Sequence, residues 1–206
     1  MKKFLDIKML TAVIFSFAST FGQAHAQDDG ESSHVTIENP ADLSQSEANK
    51  IYDELRKRMA DSFALADLAE IDDYQSWTRY NSAPYLSATH GQRFVNNFAN
   101  SIGSDYGKLG KGEEYPEGTV FAKDSMTVID DDRIYPGAMF VMEKLAEGAH
   151  PSTSDWRYVM VLPDGTTFGD TTGNKPKLVR YCHACHVSKS SDDFVFFVPE
   201  DFQLGE

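Results

Sequence analysis

Cysteine is almost missing from this chain, with two residues in 206. A scaffold stapled by several disulfides is excluded, so the fold must rest on a buried apolar core. Long apolar runs are missing as well. Met9 to Phe17, interrupted by Thr11 and Ser16, is too short to span a bilayer, and no later stretch is long enough. Positive charge is scarce. Nineteen Lys and Arg stand against 32 Asp and Glu, a formal net charge of −13 at pH 7. That sign argues against nucleic acid and anionic lipid as partners, and it suits a basic redox partner. No internal repeat is present, which removes solenoids and propellers.

The chemistry that is present lies close to the C-terminus. The two cysteines stand in Cys182-His183-Ala184-Cys185-His186. C-x-x-C-H is the attachment pattern of a c-type haem: two thiols add to the vinyl groups, and the next histidine becomes an axial iron ligand. On a helical turn, positions i, i+3 and i+4 share a face. At roughly 1.5 Å rise per residue, Cys182 to His186 covers about 6 Å, one side of a porphyrin. A redox C-x-x-C would follow a strand in a βαβ unit, and zinc would need four converging ligands. One covalent haem c is expected, with Cys182 and Cys185 as its attachment residues and His186 as the metal ligand. His183, inside the motif, points off the ligand face.

The N-terminus is consistent with that chemistry. Lys2, Lys3 and Lys8 precede or flank the short apolar core, and Ala24-His25-Ala26 is an A-x-A cleavage site. Residues 1–26 read as a secretory signal peptide cut after Ala26. The leader carries three lysines and Asp6, so its removal takes the net charge from −13 to −15. An exported haem c protein is expected in the periplasm, with no membrane span in the mature chain.

Residues 27–43 are polar and expected to be flexible. A helix is expected over 44–69. Ser44 and Glu47 form a capping box, and Ala48, Ile51, Tyr52, Leu55, Met59, Phe63 and Ala66 recur at helical period. Residues 70–206 then change to short β segments. Ser76 to Tyr80 is a candidate strand, and Gly91 to Ala99 reads as strand then helix. Tyr106 to Gly118 is a loop; Thr119 to Lys123 and Met126 to Ile129 are two short strands. Ala138 to Leu145 and Trp156 to Leu162 follow, the second ending in the turn Pro163-Asp164-Gly165 before Thr166-Thr167-Phe168 pairs back. Phe194 to Val198 is a last β run. The class is α+β: an antiparallel β-sheet with flanking helices and a C-terminal haem-attachment helix turn.

These stretches, taken in order, resemble the cytochrome P-460 family, whose relatives include the c′-beta cytochromes. The resemblance is carried by Tyr74 to Trp77, Thr89 to Asn96, Tyr115 to Lys123, Met139 to Glu143, Asp155 to Tyr158, Cys182 to His186 and Asp193 to Phe196. The family implies an antiparallel sheet, usually in a homodimer, and a haem with one proximal histidine and an open distal side. Its hydroxylamine-oxidising members bond a lysine to a haem meso carbon. Its c′-beta members lack that bond and bind small gases, nitric oxide in particular. The fold thus serves at least two functions.

Lys123 matches the cross-linking lysine, as the last residue of Gly-Thr-Val-x-x-Lys. Strand alternation puts it on the face of Phe121, opposite Val120 and Ala122. Burial there would leave a nucleophilic free amine. Otherwise it is an edge-strand lysine reaching water. Glu143 is a candidate catalytic carboxylate if desolvated beside Met139 and Val141, or else a strand-end charge paired with Lys144 or an arginine. Tyr85 is a candidate cap on the distal face, or ordinary core. Arg93 is a candidate partner for a haem propionate, or a surface arginine. His90 either lines a distal pocket or is satisfied within its loop. Met126, Met139, Met142 and Met160 read as core; one of them as a sixth ligand would make a simple electron carrier. Two readings follow from the open distal side: oxidation of hydroxylamine or a related small nitrogen species, or nitric oxide binding without turnover. Either implies an electron-transfer partner or a gas ligand, and the resemblance adds a homodimer.

Overall fold

The computed structural model describes residues 36–204. The leader expected at 1–26 lies outside them, as does the start of the polar segment that follows it. Among the described residues no helix is long and apolar enough to cross a membrane.

The first helix, α1, runs over Gln45–Phe63. Its capping box forms as the sequence predicts: Ser44 Oγ accepts from the Glu47 amide at 3.3 Å, and Glu47 Oε2 accepts from the Ser44 amide at 2.9 Å. The helix stops before Ala69. Two single 3-10 turns, Ala64–Ala66 and Ala69–Ile71, replace the last expected turns. Asp67 between them takes φ 53°, which breaks the helical ladder and drops Ile71 into the core.

Eight antiparallel strands form one sheet: β1 (Thr78–Arg79), β2 (Tyr85–Ser87), β3 (Arg93–Ala99), β4 (Val120–Val128), β5 (Ile134–Pro136), β6 (Met139–Lys144), β7 (Trp156–Val161) and β8 (Thr167–Asp170). The order is β1-β3-β4-β6-β7-β8, with β2 also on β3 and β5 also on β4. From β3 onward each long strand pairs with the next, so the antiparallel α+β class holds.

Four local expectations are corrected. The segment at Gly91 to Ala99 contains no helix. It is one strand buried from Phe94 to Ala99, and a strand covered on both faces loses the alternation that marks β structure. The two short strands around Asp124 are a single β4, because Asp124 and Ser125 are buried with partners rather than turned out to water. Tyr85–Ser87 is a strand that the sequence reading did not foresee. Phe194 to Val198 is irregular. Asp193 and Phe194 both sit in the left-handed region, at φ 47° and 63°, so the chain folds across the sheet instead of joining it.

Both faces of the sheet are covered. On β4, Val120, Ala122, Met126 and Val128 pack under α1 with Met59, Phe63 and Phe98. Each such side chain contributes about 1.5–3 kcal/mol by leaving water. Asp124 shares that face. Its carboxylate accepts from Tyr52 Oη at 2.8 Å, Tyr74 Oη at 3.0 Å and Asn96 Nδ2 at 3.0 Å. Burial nevertheless raises its pKa to about 6. The opposite face carries a smaller core of Tyr106, Tyr115, Phe121, Trp156, Tyr158 and Val195. A short helix, α2 (Arg180–His186), lies over this second face.

Candidate functional site

The helix α2 is anchored by Val179, fully buried against Ala138 and Met160, and begins where the Cys182 amide donates to the Val179 carbonyl at 3.0 Å. Five of its residues line one cavity of about 640 Å³ between α2 and the sheet: Tyr181, Cys182, Ala184, Cys185 and His186. Cys182 is half-buried, and desolvation pushes its thiol up to about 12. Cys185, one turn on, is exposed.

His186 is 9% exposed, with its ring edge-on to Tyr158 at 5.4 Å and to Phe196 at 5.1 Å. Its Nδ1 lies 2.6 Å from the Phe194 carbonyl oxygen. A carbonyl only accepts, so Nδ1 carries the hydrogen. Burial, then the charge of Lys123, pushes the imidazole pKa down to about 4. The ring is neutral at pH 7, and Nε2 keeps its lone pair on a residue that lines the cavity.

Lys123 enters the same cavity from β4, on the face of Phe121 as alternation predicts. Its cross-strand neighbours are Asn97 on β3 and Phe140 on β6. Burial lowers its amine to about 8, with the Cys185 thiol opposing that shift. A substantial share of the amine is therefore unprotonated near neutral to mildly alkaline pH.

Tyr85 also lines the cavity, and its hydroxyl is committed. It donates to Asn97 Oδ1 at 3.0 Å; Asn97 Nδ2 donates to Tyr106 Oη at 2.6 Å, and Tyr106 donates to the Phe196 carbonyl at 2.8 Å. His90 is in the lining too, held through Nδ1 by Ser87 Oγ at 2.8 Å, with its ring 4.8 Å from Phe140. Gly107, at φ +79°, lets the chain pass the Phe197 ring; a Cβ there would stand 2.5 Å from it.

Two expected site residues are elsewhere. Glu143 does not line the cavity. Its parity on β6 is that of Met139 and Val141, which pack in the core under α1, whereas Phe140 and Met142 are on the other side and line the cavity, whose lining also reaches Val141. It pairs instead with Arg157 at 2.8 Å, a guanidinium that also holds Glu70 and, at 2.9 Å, Asp170. The arginine partner anticipated as the alternative for Glu143 is thus Arg157. Arg93 also lies outside the large cavity. It donates to the carbonyls of His90 at 3.2 Å and Gly91 at 3.5 Å, bracing that turn, and borders a separate cavity of about 150 Å³. His183 turns away from the cavity and stands 3.4 Å from Tyr158 Oη. Of the four methionines considered as ligands, Met142 is the one in the lining.

Sequence reasoning missed Asn97 and Asp193. Asp193 is buried and grips the loop that carries Phe194, yet its partners are distant in the chain and leave no local pattern.

The residues present fit a porphyrin carrying iron. Two thiols one helical turn apart and a neutral imidazole nitrogen share a cavity of cofactor size with aromatic walls. Among the described residues there is no cluster of three or more His, Cys, Asp or Glu that could hold a bare metal ion. In comparison with known proteins, the chain matches the family model described as Cytochrome P460 over residues 71–197. No curated protein matches it.

Proposed function

The chain belongs to the cytochrome P460 family, which implies a haem cofactor, and from that premise we propose an exported, periplasmic mono-haem c-type cytochrome that oxidises hydroxylamine or a related small nitrogen species. Cys182 and Cys185 are the attachment residues in this reading, and His186 is the axial ligand. When bound, the haem supplies an iron site for a small nitrogen ligand and a one-electron redox centre.

The observation that carries the enzyme reading is Lys123. A lysine amine lowered to about 8 projects into the cavity that holds the C-x-x-C-H residues. A desolvated amine is both a nucleophile and a proton acceptor near neutral pH. In this reading it meets the ring edge, by contact or by a covalent bond. The Phe194 carbonyl keeps His186 in the tautomer that offers Nε2 to a metal. Phe121, Phe140 and Met142 give the cavity apolar walls. Those apolar walls also favour a second reading, nitric oxide binding without turnover, since a small neutral gas needs little polar recognition.

Electrons taken from a substrate need a carrier. Residues 171–191 contain Lys175, Lys177, Arg180 and Lys189 and no acidic residue, in a chain of net charge −13. The segment that bears α2 is basic in sequence, although Lys189 already pairs with Asp192 at 3.8 Å, so the carrier we infer has an acidic face. This reverses the partner sign that the total charge suggests.

The test is reduction of an artificial acceptor by the purified protein in the presence of hydroxylamine, beside a haem stain after denaturation and the ferrous absorption spectrum. The enzyme reading expects a stained band, a red-shifted Soret band, and turnover that Lys123→Ala abolishes while nitric oxide binding persists. Identical spectra for wild type and Lys123→Ala, with no turnover in either, would leave the gas-binding reading. An unstained band removes both.

A further inference from the structure

We propose that Asp193 is a positioning residue for His186: its ion pair with Lys144 clamps the carbonyl that holds the imidazole, and so sets how strongly the histidine binds iron. The proposal rests on the haem reading of the cavity.

The carbonyl belongs to Phe194, and it is presented by an unfavourable turn. Asp193 and Phe194 are successive residues in the left-handed region, at φ 47° and 63°. An aspartate tolerates that region; a bulky phenylalanine does so poorly, and two such residues in a row persist only when their surroundings hold them. Here the surroundings are specific. The Asp193 carboxylate accepts from Lys144 Nζ at 2.8 and 3.0 Å, from Trp156 Nε1 at 3.2 Å and from the Tyr115 amide at 2.9 Å. Asp193 is 4% exposed, Lys144 7% and Trp156 0%. Lys144 and Trp156 are cross-strand partners on β6 and β7, so the anchor is the rigid sheet itself. The turn is closed from the other side by the Phe194 amide, which donates to the Lys189 carbonyl at 2.8 Å.

A buried ion pair is a weak source of net stability, because desolvating both charges offsets most of their attraction. What it supplies is direction. Four donated hydrogen bonds fix the carboxylate in three dimensions, and the next carbonyl in the chain meets His186 Nδ1 at 2.6 Å. That distance lies just below the usual N–H···O range. A strong bond at Nδ1 gives the ring imidazolate character and makes Nε2 a stronger ligand. Loosening the clamp should lengthen the Nδ1 bond and weaken the ligand without touching the cavity lining.

The experiment compares wild type with Asp193→Asn and Trp156→Phe, all as haem-loaded protein. Asparagine adopts the left-handed region readily, so Asp193→Asn keeps the turn's backbone preference and removes the charge. Trp156→Phe removes one donor and keeps most of the packing. The readouts are the iron–histidine stretching frequency of the ferrous protein by resonance Raman and the midpoint potential. The frequency is expected to fall and the potential to rise, more in Asp193→Asn than in Trp156→Phe. Met59→Ala, in the core under α1, serves as the structural control: it should lower stability and leave both readouts in place. If Asp193→Asn fails to fold, Trp156→Phe decides alone. Folded, haem-loaded variants with unchanged frequency and potential overturn the clamp while the cytochrome reading stands; wild type without covalent haem overturns that reading itself.

Discussion

Lys123 and Asp124 are adjacent on β4 and point to opposite faces of the sheet. Both are charged groups taken out of water, and burial shifts both toward neutrality, the amine down to about 8 and the carboxyl up to about 6. Their surroundings differ. Asp124 receives three hydrogen bonds from Tyr52, Tyr74 and Asn96, and apolar side chains fill the space around them under α1. Lys123 faces a cavity of about 640 Å³, and the group that favours its charge is the Cys185 thiol. One face offsets the burial cost with the protein's own donors, which makes it a foundation. The other turns a desolvated amine into a cavity that Cys182, Cys185 and His186 also line, which makes it a candidate site.

The comparison breaks most sharply if the cavity face can lose Cys182 and Cys185 and still carry covalent haem. Replacing Cys182 and Cys185 by alanine should abolish covalent haem entirely, read as loss of haem staining on a denaturing gel, while the far-ultraviolet circular dichroism of the sheet and α1 persists. A stained band would end the assignment of this face. Next in size is the adjacent-residue test. Asp124→Ala strands three buried donors, and at about 1–3 kcal/mol for each the loss should reach about 3 kcal/mol or more in urea unfolding. Lys123→Ala removes an amine with no such partners and should shift stability by at most about 1 kcal/mol. Equal losses would mean that the two faces do not differ in kind.

A third test sharpens the helix-side half through pH. The Asp124 carboxyl sits at about 6 in the folded chain and at about 3.9 unfolded. Between those values the folded state holds the extra proton. Its contribution is therefore full below about pH 4 and is lost as pH rises through 6, a fall of about 3 kcal/mol at 1.36 kcal/mol per pKa unit. Urea titrations from pH 4 to 7 should show that slope in wild type and not in Asp124→Asn; parallel curves would mean that another group titrates. The smallest effect concerns Glu143. Glu143→Gln removes one of three carboxylates around Arg157 and should cost about 1 kcal/mol or less. The haem spectrum should not change. A spectral shift would return Glu143 to the cavity.

Much of this division was legible in the residues. Ser44 and Glu47 announced the start of α1, and the step-two pattern of Val120 to Lys123 placed Lys123 with Phe121. Cys182, Cys185 and His186 could share a face only on a helical turn, which is what α2 provides. The same alternation grouped Glu143 with Met139 and Val141. What it lacked was the identity of the face: period two says which residues stand together, not whether a helix or a cavity lies above them. Tyr85 and His90 line the cavity although their segment carries no periodic signal, because the short strand β2 pairs on β3 and the loop after it, with its 3-10 turn at Ala88–His90, brings His90 alongside. Arg93 stands on the strand that follows this loop and turns to its carbonyls instead of entering the cavity.

By itself the sequence determined the helical turn of Cys182 to His186, the antiparallel α+β class and the opposition of Lys123 to Val120 and Ala122. These are local matters of spacing, and spacing is written in the chain. Tertiary structure alone decided that Glu143 belongs to Arg157, that Asp124 is gripped by tyrosines 72 and 50 residues away, and that Asp193 meets Lys144 across 49 residues. It also decided the tautomer of His186, through a backbone carbonyl that any residue type could have supplied. Such pairings depend on which surfaces the sheet brings together, and contacts between distant segments leave no period in either segment to read.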